Sequence, residues 1–387
     1  MRMLLRCHIR NGRPVLWASR AMLIVLGWQA LTATANYHGN WTAFFCTGSL
    51  REIPPQLKAE SIYTFPGSRG YDGQFYHYMA HDPFRQRNFA RYIDEPGLRY
   101  RRILVPLMAW TIAAGRDQLV DFAYYTVVLA SVFLGTYCLA VYAQVHGRHP
   151  VCGLLFLFSP AVLISVDRML VDSTLAAFTA AFLIASNRPR SWRFWLVLAG
   201  AALTRETGIL LAFASGATAI LRERRRSVLI LSALTPCAAW YLFAYRHNPP
   251  FAYYPSHVLF ASLISAALHP TQYAADIPFA WAIQLGDVVA LVGATLAVVL
   301  GLVYSRFWRP EATTMAAFLF AALAALVQPG DLWVHLSRII SPLLLILTSA
   351  WIRSGRVLLM APTLLILPRV LMQFGKQVYG ILHFSWL

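Results

Sequence analysis

Apolar runs of roughly 17–25 residues, the length a helix needs to cross a hydrocarbon core of about 30 Å, recur along the whole of this chain. An all-α, polytopic membrane fold is therefore the expectation. Composition agrees: 58% of the 387 residues are hydrophobic and 13% are charged, against roughly 45–50% and about 25% in soluble globular chains. A soluble enzyme, a disordered chain and a coiled coil are excluded on that ground. The net charge of +17, from 33 Lys and Arg against 16 Asp and Glu, would suggest nucleic acid in a soluble protein. In a polytopic one it belongs at cytoplasmic loops and lipid headgroups, so the lipid bilayer, and no nucleic acid, is the expected partner. The five cysteines stand apart with no CxxC, and neither a disulfide nor a zinc framework follows from them.

Charge sets the expected topology. Arg2, Arg6, Arg10, Arg13 and Arg20 accompany the first apolar run, residues 15–36, and place the N-terminus in the cytoplasm. That run is longer than the apolar core of about 7–15 residues in a cleaved signal, so it reads as a retained anchor. Residues 37–121 then form a long external loop. Within it the apolar stretch 103–116 is too short to span and reads as a juxtamembrane or re-entrant helix. Four basic clusters mark the cytoplasmic side: Arg188, Arg190 and Arg193; Arg222 and Arg224 to Arg226; Arg306 and Arg309; Arg353 and Arg356. Residues 192–221 begin and end at such clusters and must cross an even number of times, yet at about 1.5 Å per residue they cannot make two full spans. Two short helices meeting partway across are expected, joined at Thr204, Arg205, Glu206, Thr207 and Gly208. A charged pair at such a point is costly unless it faces protein or water, which makes Arg205 and Glu206 site candidates.

The remaining spans fall near 227–245, 281–304, 312–328, 336–352 and 357–373, for about eleven crossings in one transmembrane domain. This divides the chain into the first span, the external loop, a core over 122–226 and C-terminal spans over 227–387, with a second external segment at 246–280. That segment carries FAYYPSH and an amphipathic HVLFASLISAALHP.

Three stretches hold residues able to do chemistry. The outer loop reads GSRGYDGQFYHYMAHDPF and then YIDEPGLRYRRILVPL, with Asp72, Asp82, Asp94, Glu95, Arg99, Arg101 and Arg102. Residues 74–82 show helical spacing before Pro83, so Asp72 stands at the mouth of a short helix. It is either an N-cap or a carboxylate presented at the membrane surface to an acceptor hydroxyl. In SVDRMLVDS, Asp172 precedes an apolar helix and has the same two readings, with Asp167 as its competitor. Arg168 and Arg205 read as bundle ion-pair partners or as bidentate phosphate ligands. In QPGDLWVHLSRIISPL, His335 and Arg338 lie one helical turn apart beside Asp331, either as interfacial anchors with Trp333 or as holders of an anionic group.

The order of these features resembles the GT-C superfamily of membrane glycosyltransferases, above all the bacterial members carrying YDGQFY and RYxRILxPL, which are related to lipid-linked mannosyltransferases. The resemblance covers roughly residues 15–226. It implies a GT-C bundle in a bacterial inner membrane, transferring a sugar from a polyprenyl phosphate donor to a glycan, lipid or protein acceptor on the external face, with inversion. By the same resemblance Asp72 and Asp172 are the catalytic acids, and Tyr71, Gln74, Arg102, Arg205, Glu206, His335 and Arg338 bind substrate. The chain lacks WWDYG, an acid followed by KPP, and a DxD or ExD pair. A metal is thus left open; Mg²⁺ or Mn²⁺ would suit carboxylates alone. The rival from another class is a polytopic transporter or lipid flippase gated by Arg205 and Glu206.

Overall fold

The computed structural model describes residues 13–220, 223–249, 258–273, 279–304, 311–327 and 336–384. Helix α1 is Arg13–Tyr37. A polar segment follows, in which two-residue strands β1 (Thr47–Gly48) and β2 (Thr64–Phe65) pair in parallel around a 3₁₀ turn at Pro55–Glu60. It continues through α2 (Asp72–His81), α3 (Pro96–Arg99) and α4 (Leu104–Ile112). Helix α5 (Asp117–Val145), a 3₁₀ helix at Pro150–Phe158, α6 (Pro160–Arg168), α7 (Asp172–Ala185), α8 (Trp192–Thr204) and α9 (Ile209–Ile220) come next. The C-terminal part holds α10 (Arg224–Leu231), α11 (Thr235–His247), α12 (Ala261–Leu268), α13 (Ala280–Tyr304), α14 (Ala312–Ala325), α15 (Ser337–Ser354), α16 (Ala361–Leu371) and α17 (Gly375–Leu382). The fold is all-α, and this strand pair is its only sheet among the described residues.

Among the described residues, five helical stretches are long and apolar enough to cross a membrane: Arg13–Tyr37, Asp117–Val145, Arg224–His247, Ala280–Val303 and Val357–Leu382. The segments Pro150–Phe158 and Pro160–Arg168 make a sixth if their 63° bend is counted within one span. Such a set suits a multi-pass membrane protein. The other expected crossings are shorter helices. At 14 residues each, α7 and α14 extend only about 21 Å, and α15 carries Arg338, Pro342 and Arg353 within it. Helix α1 shows how the bundle meets lipid. Leu23 and Ile24 are exposed while Ala18, Ala21 and Ala33 are fully buried, so bulky apolar side chains face outward and small ones let neighbouring helices approach.

The interruption expected within 192–221 is present as the end of α8 at Thr204, an extended Arg205 and a 3₁₀ turn over Glu206–Gly208. A Cβ placed on Gly208 would collide with the carbonyl oxygen of Ala201. Residues seven apart in a continuous helix are about 10 Å from each other, so the chain doubles back at this point and only glycine fits the turn. The stretch 103–116 forms nine-residue α4, far short of a span. In the second polar segment the expected amphipathic stretch includes α12, of eight residues, while FAYYPSH lies outside the described residues.

The helices sort their charges by end. Arg190 pairs with Glu223, Arg226 and Arg353 line one cavity, and the Arg148 guanidinium donates to the Ile352 carbonyl. These basic groups therefore gather at one end of the bundle, as the cluster argument expects; Arg2, Arg6, Arg10, Arg222, Arg306 and Arg309 lie outside the described residues. Asp172, Arg205 and Arg338 sit at the opposite ends of α7, α8 and α15. Fifteen residues of helix from Arg338 to Arg353 separate the two levels by about 22 Å.

Helix α2 is seated by Gly73, whose Cβ would strike the carbonyl oxygen of Arg168 and approach that of Phe45 to 2.9 Å. This contact brings the loop helix onto the end of α6. Gly73→Ala should lower thermal stability in detergent by about 1–3 kcal/mol, whereas Gly27→Ala, with nothing within 4 Å of the new methyl, should leave the melting temperature unchanged. Equal melting temperatures for both variants would contradict this seating of α2.

Candidate functional site

Asp72 and Asp172 are the first residues of α2 and α7, yet neither caps its helix; the N-cap positions are Tyr71 and Val171, with no side-chain cap bond. Their carboxylates turn instead to arginines contributed from far along the chain. The Arg338 guanidinium, 2% exposed, donates to Asp72 Oδ2 at 2.9 Å and to Asp172 Oδ2 at 2.6 and 3.0 Å. Arg99 donates to Asp72 Oδ1 at 2.9 Å and grips Asp94 with two bonds of 3.0 Å. Arg205 donates to Asp172 Oδ1 and approaches Glu206 to 3.7 Å. Arg102 forms a fork-to-fork pair with Glu206 at 2.6 and 2.8 Å.

The result is one chain of alternating charge: Asp94, Arg99, Asp72, Arg338, Asp172, Arg205, Glu206, Arg102. Tyr76 closes it. Its hydroxyl accepts from Arg102 at 3.1 Å, and the Arg99 guanidinium lies 5.7 Å from its ring centre. Tyr71 packs at the edge, its hydroxyl 3.4 Å from Arg338 and its ring 4.4 Å from the Arg168 guanidinium.

Exposure separates the roles within this network. Arg338 and Asp172 show 1% and 2% of their side chains, whereas Asp72, Asp94 and Glu206 show 14%, 25% and 30%. A ligand can therefore meet Asp72 or Glu206 but reaches Asp172 only through the arginines around it. Every carboxylate oxygen of the four acids already accepts from a guanidinium. An oxygen-lined site for Mg²⁺ or Mn²⁺ would require those pairs to open. One donor is left over: buried Arg205 Nε has no hydrogen-bond partner among the described residues. In addition, the N-termini of α2 and α7 meet here, so two helix dipoles present their positive ends to the same place.

Burial alone would raise the Asp72 carboxyl above its ordinary 3.8, but the Arg338 and Arg99 guanidinium groups outweigh it and hold the group well below that value. Both oxygens are engaged and the acid is weak as a base, so this geometry suits Asp72 to orienting a hydroxyl better than to taking its proton.

All the other substrate-binding candidates except two enter this network. Gln74 is buried and bridges the loop, accepting from Gly48 N–H at 3.2 Å and donating to the Arg69 carbonyl at 2.9 Å. His335, with Asp331 and Trp333, lies outside the described residues. Asp167, the competitor of Asp172, is buried elsewhere against Arg168 and Gln377. Arg99, Asp94 and Tyr76 are members that sequence reasoning did not select. The usable signal was the spacing of Arg99 and Arg102, three apart and on one side of a helical turn.

Compared with protein families, with curated proteins and with solved structures, the chain matches none. The likeness to GT-C enzymes therefore rests on the motifs themselves.

Removing Arg338 leaves two carboxylates short of a partner in a buried place, so Arg338→Met should destabilise the fold by about 3–5 kcal/mol. Arg338→Lys should recover only part of this, because one ammonium cannot reproduce the forked contact. Thermal unfolding in one detergent tests the ranking. Asp72 binds its proton more weakly folded than unfolded. Its stabilising contribution is therefore full above the unfolded value near 4 and fades as pH falls toward the depressed folded one. In Asp72→Asn the acid limb of the stability profile should flatten; an unchanged limb would show that Asp72 is not held ionised.

Proposed function

We propose that the protein is a membrane glycosyltransferase of GT-C type that takes a sugar from a polyprenyl phosphate donor and delivers it to a hydroxyl acceptor. The observation that carries this reading is the buried, guanidinium-rich network in which Arg205 Nε makes no hydrogen bond and Arg338 joins Asp172, the partner of Arg205, to the partly exposed carboxylate of Asp72. A phosphate needs fixed cations and N–H donors, and a hydroxyl nucleophile needs an acceptor to aim it. One network holds both.

In the proposed reaction the acceptor oxygen attacks the anomeric carbon as the bond from that carbon to the phosphate oxygen breaks. The electron pair leaves with polyprenyl phosphate, and the single displacement inverts the anomeric centre. Asp72 accepts a hydrogen bond from the attacking hydroxyl, whose proton passes to solvent or to Asp72 once a guanidinium lets go. Arg205 and Arg102, paired at the more exposed edge with Glu206, meet the charge growing on the departing phosphate. Asp172 is a positioning residue, holding Arg338 and Arg205 in place. Tyr71 bounds the donor side.

The proposed setting is a bacterial inner membrane. The network then opens to the external face, the basic end of the bundle lies in the cytoplasm, and the shorter helices are counted among about eleven crossings. Mg²⁺ or Mn²⁺ would have to enter by displacing arginines from Asp72 or Glu206, so this reading runs without a metal at the network.

Purified protein in lipid, given a panel of polyprenyl phosphate sugars and a hydroxyl acceptor, should release free polyprenyl phosphate detectable by mass spectrometry. Asp72→Asn should lose at least about 100-fold in rate with its fold intact, in line with the usual worth of such groups. Release at the wild-type rate from the variant would remove Asp72 from the reaction, and no release from any donor would favour a transporter.

A further inference from the structure

A second polar cluster lies at the other end of α2, where HYMAH puts His77 and His81 on one helix face. Both imidazoles are buried, at 0% and 2% exposure. Their Nε2 atoms face each other at 3.2 Å, and Glu60 Oε2, from the 3₁₀ turn, stands 3.6 Å from His81 Nε2. These three ligand atoms all lie within 4.8 Å of one another. Asp121 Oδ1, from α5, is 2.6 Å from His77 Nε2.

Proton bookkeeping shows why this arrangement lacks something. Asp117 accepts from His81 Nδ1 at 2.9 Å, which leaves Nε2 of a neutral His81 as a lone pair. With Glu60 ionised, that lone pair and Glu60 Oε2 face each other at 3.6 Å, and the single proton beside them, on His77 Nε2, is directed to Asp121 Oδ1. Glu60 Oε2 is buried with no hydrogen-bond partner, and so is His77 Nδ1. Three carboxylates surround the imidazoles, and the one guanidinium among them, Arg87, is committed to Asp117 at 2.6 Å. An excess of acceptors and of negative charge converging on one buried point is the inverse of what a closed protein interior tolerates.

We propose that Glu60, His77 and His81 form a zinc site that clamps α2 to the 3₁₀ turn. Zinc holds nitrogen and carboxylate oxygen at about 2.0–2.2 Å in a tetrahedron, which sets ligand atoms roughly 3.4 Å apart. The spacings of 3.2 and 3.6 Å are close to this, and Asp121, 2.6 Å from His77 Nε2, has to release that nitrogen as the metal takes it. Two imidazoles select a borderline metal such as zinc over Mg²⁺. Asp117 supplies the outer carboxylate that fixes the His81 ring through Nδ1–H. Coordination moves the His77 proton from Nε2 to Nδ1, giving that orphaned nitrogen its hydrogen. Three protein ligands leave the fourth position of the tetrahedron to a water. The clamp is independent of the glycosyltransferase reading.

The test uses the full chain in detergent, stripped with chelator and dialysed against Zn²⁺, with bound metal counted by mass spectrometry. About one zinc per chain is expected. Its removal should lower the melting temperature, and excess Mg²⁺ should not displace it. Glu60→Gln and His81→Ala should weaken zinc binding at least tenfold, and Asp117→Asn about 10- to 100-fold. Tetrahedral Co²⁺ absorption in the wild type, lost in His77→Gln, tests the geometry without relying on stability. Stripped wild type that is folded yet takes up no zinc, or uptake unchanged in a folded His81→Ala, overturns the proposal. Should the histidine variants fail to fold, the wild-type titration and the Glu60→Gln variant decide the matter.

Discussion

The contact of Arg338 with both Asp72 and Asp172 is the interaction on which the end of the bundle opposite the basic groups depends. It joins a loop helix, a short bundle helix and a late C-terminal helix across separations of 266 and 166 residues. A guanidinium this deeply buried would be strongly unfavourable alone, and either acid would be equally so without it. None of the three can be placed until the others are, which makes the network a lock on tertiary structure rather than a set of local bonds. The positive ends of two helix dipoles favour the two carboxylates and oppose the arginine. Arg338 is tolerated there because two acids face it.

That same balance lets an ionic core accept a change of partner. Acids and guanidinium groups alternate, so exchanging one carboxylate for an incoming anion shifts a pairing instead of creating a buried charge. Exposure rises toward Glu206, Asp94 and Asp72, so exchange is easiest at that edge. The deeply buried members supply a rigid field, which is the property that makes fixed charges effective against charge developing in a reaction.

Much of this was legible in the sequence, and the limits are physical. Apolar run length gave the all-α bundle, and parity of basic clusters gave the doubling back at Arg205 to Gly208, because both follow from solvent and length alone. The identity of Asp72, Asp172, Arg102, Arg205, Glu206 and Arg338 as polar outliers followed from the expense of burying them. What local sequence could not decide was their use. An aspartate at a helix start satisfies the pattern of a cap as well as that of a site, and only arginines 27 and 266 residues away from Asp72 choose between them. Gln74 shows the converse, since its place in YDGQFY looks functional while its amide spans the loop. Length and composition mark five of the expected crossings among the described residues, because a 14-residue apolar helix in a bundle has the composition of a span without its length.

The two ends of α2 tie these observations together. Its N-terminal residue, Asp72, is held by arginines, and its last residue, His81, belongs to the Glu60, His77 and Asp117 cluster. Ten residues of helix set these anchors about 14 Å apart. A helix pinned at one end can still pivot, and over that length a tilt of a few degrees moves its tip by about 1 Å, enough to misplace a reacting group. Pinning both ends removes the pivot. Gly73 permits the close seat on the Arg168 carbonyl, and the buried imidazoles fix the far end. The loop can then be polar and long while Asp72 keeps one orientation relative to Arg338.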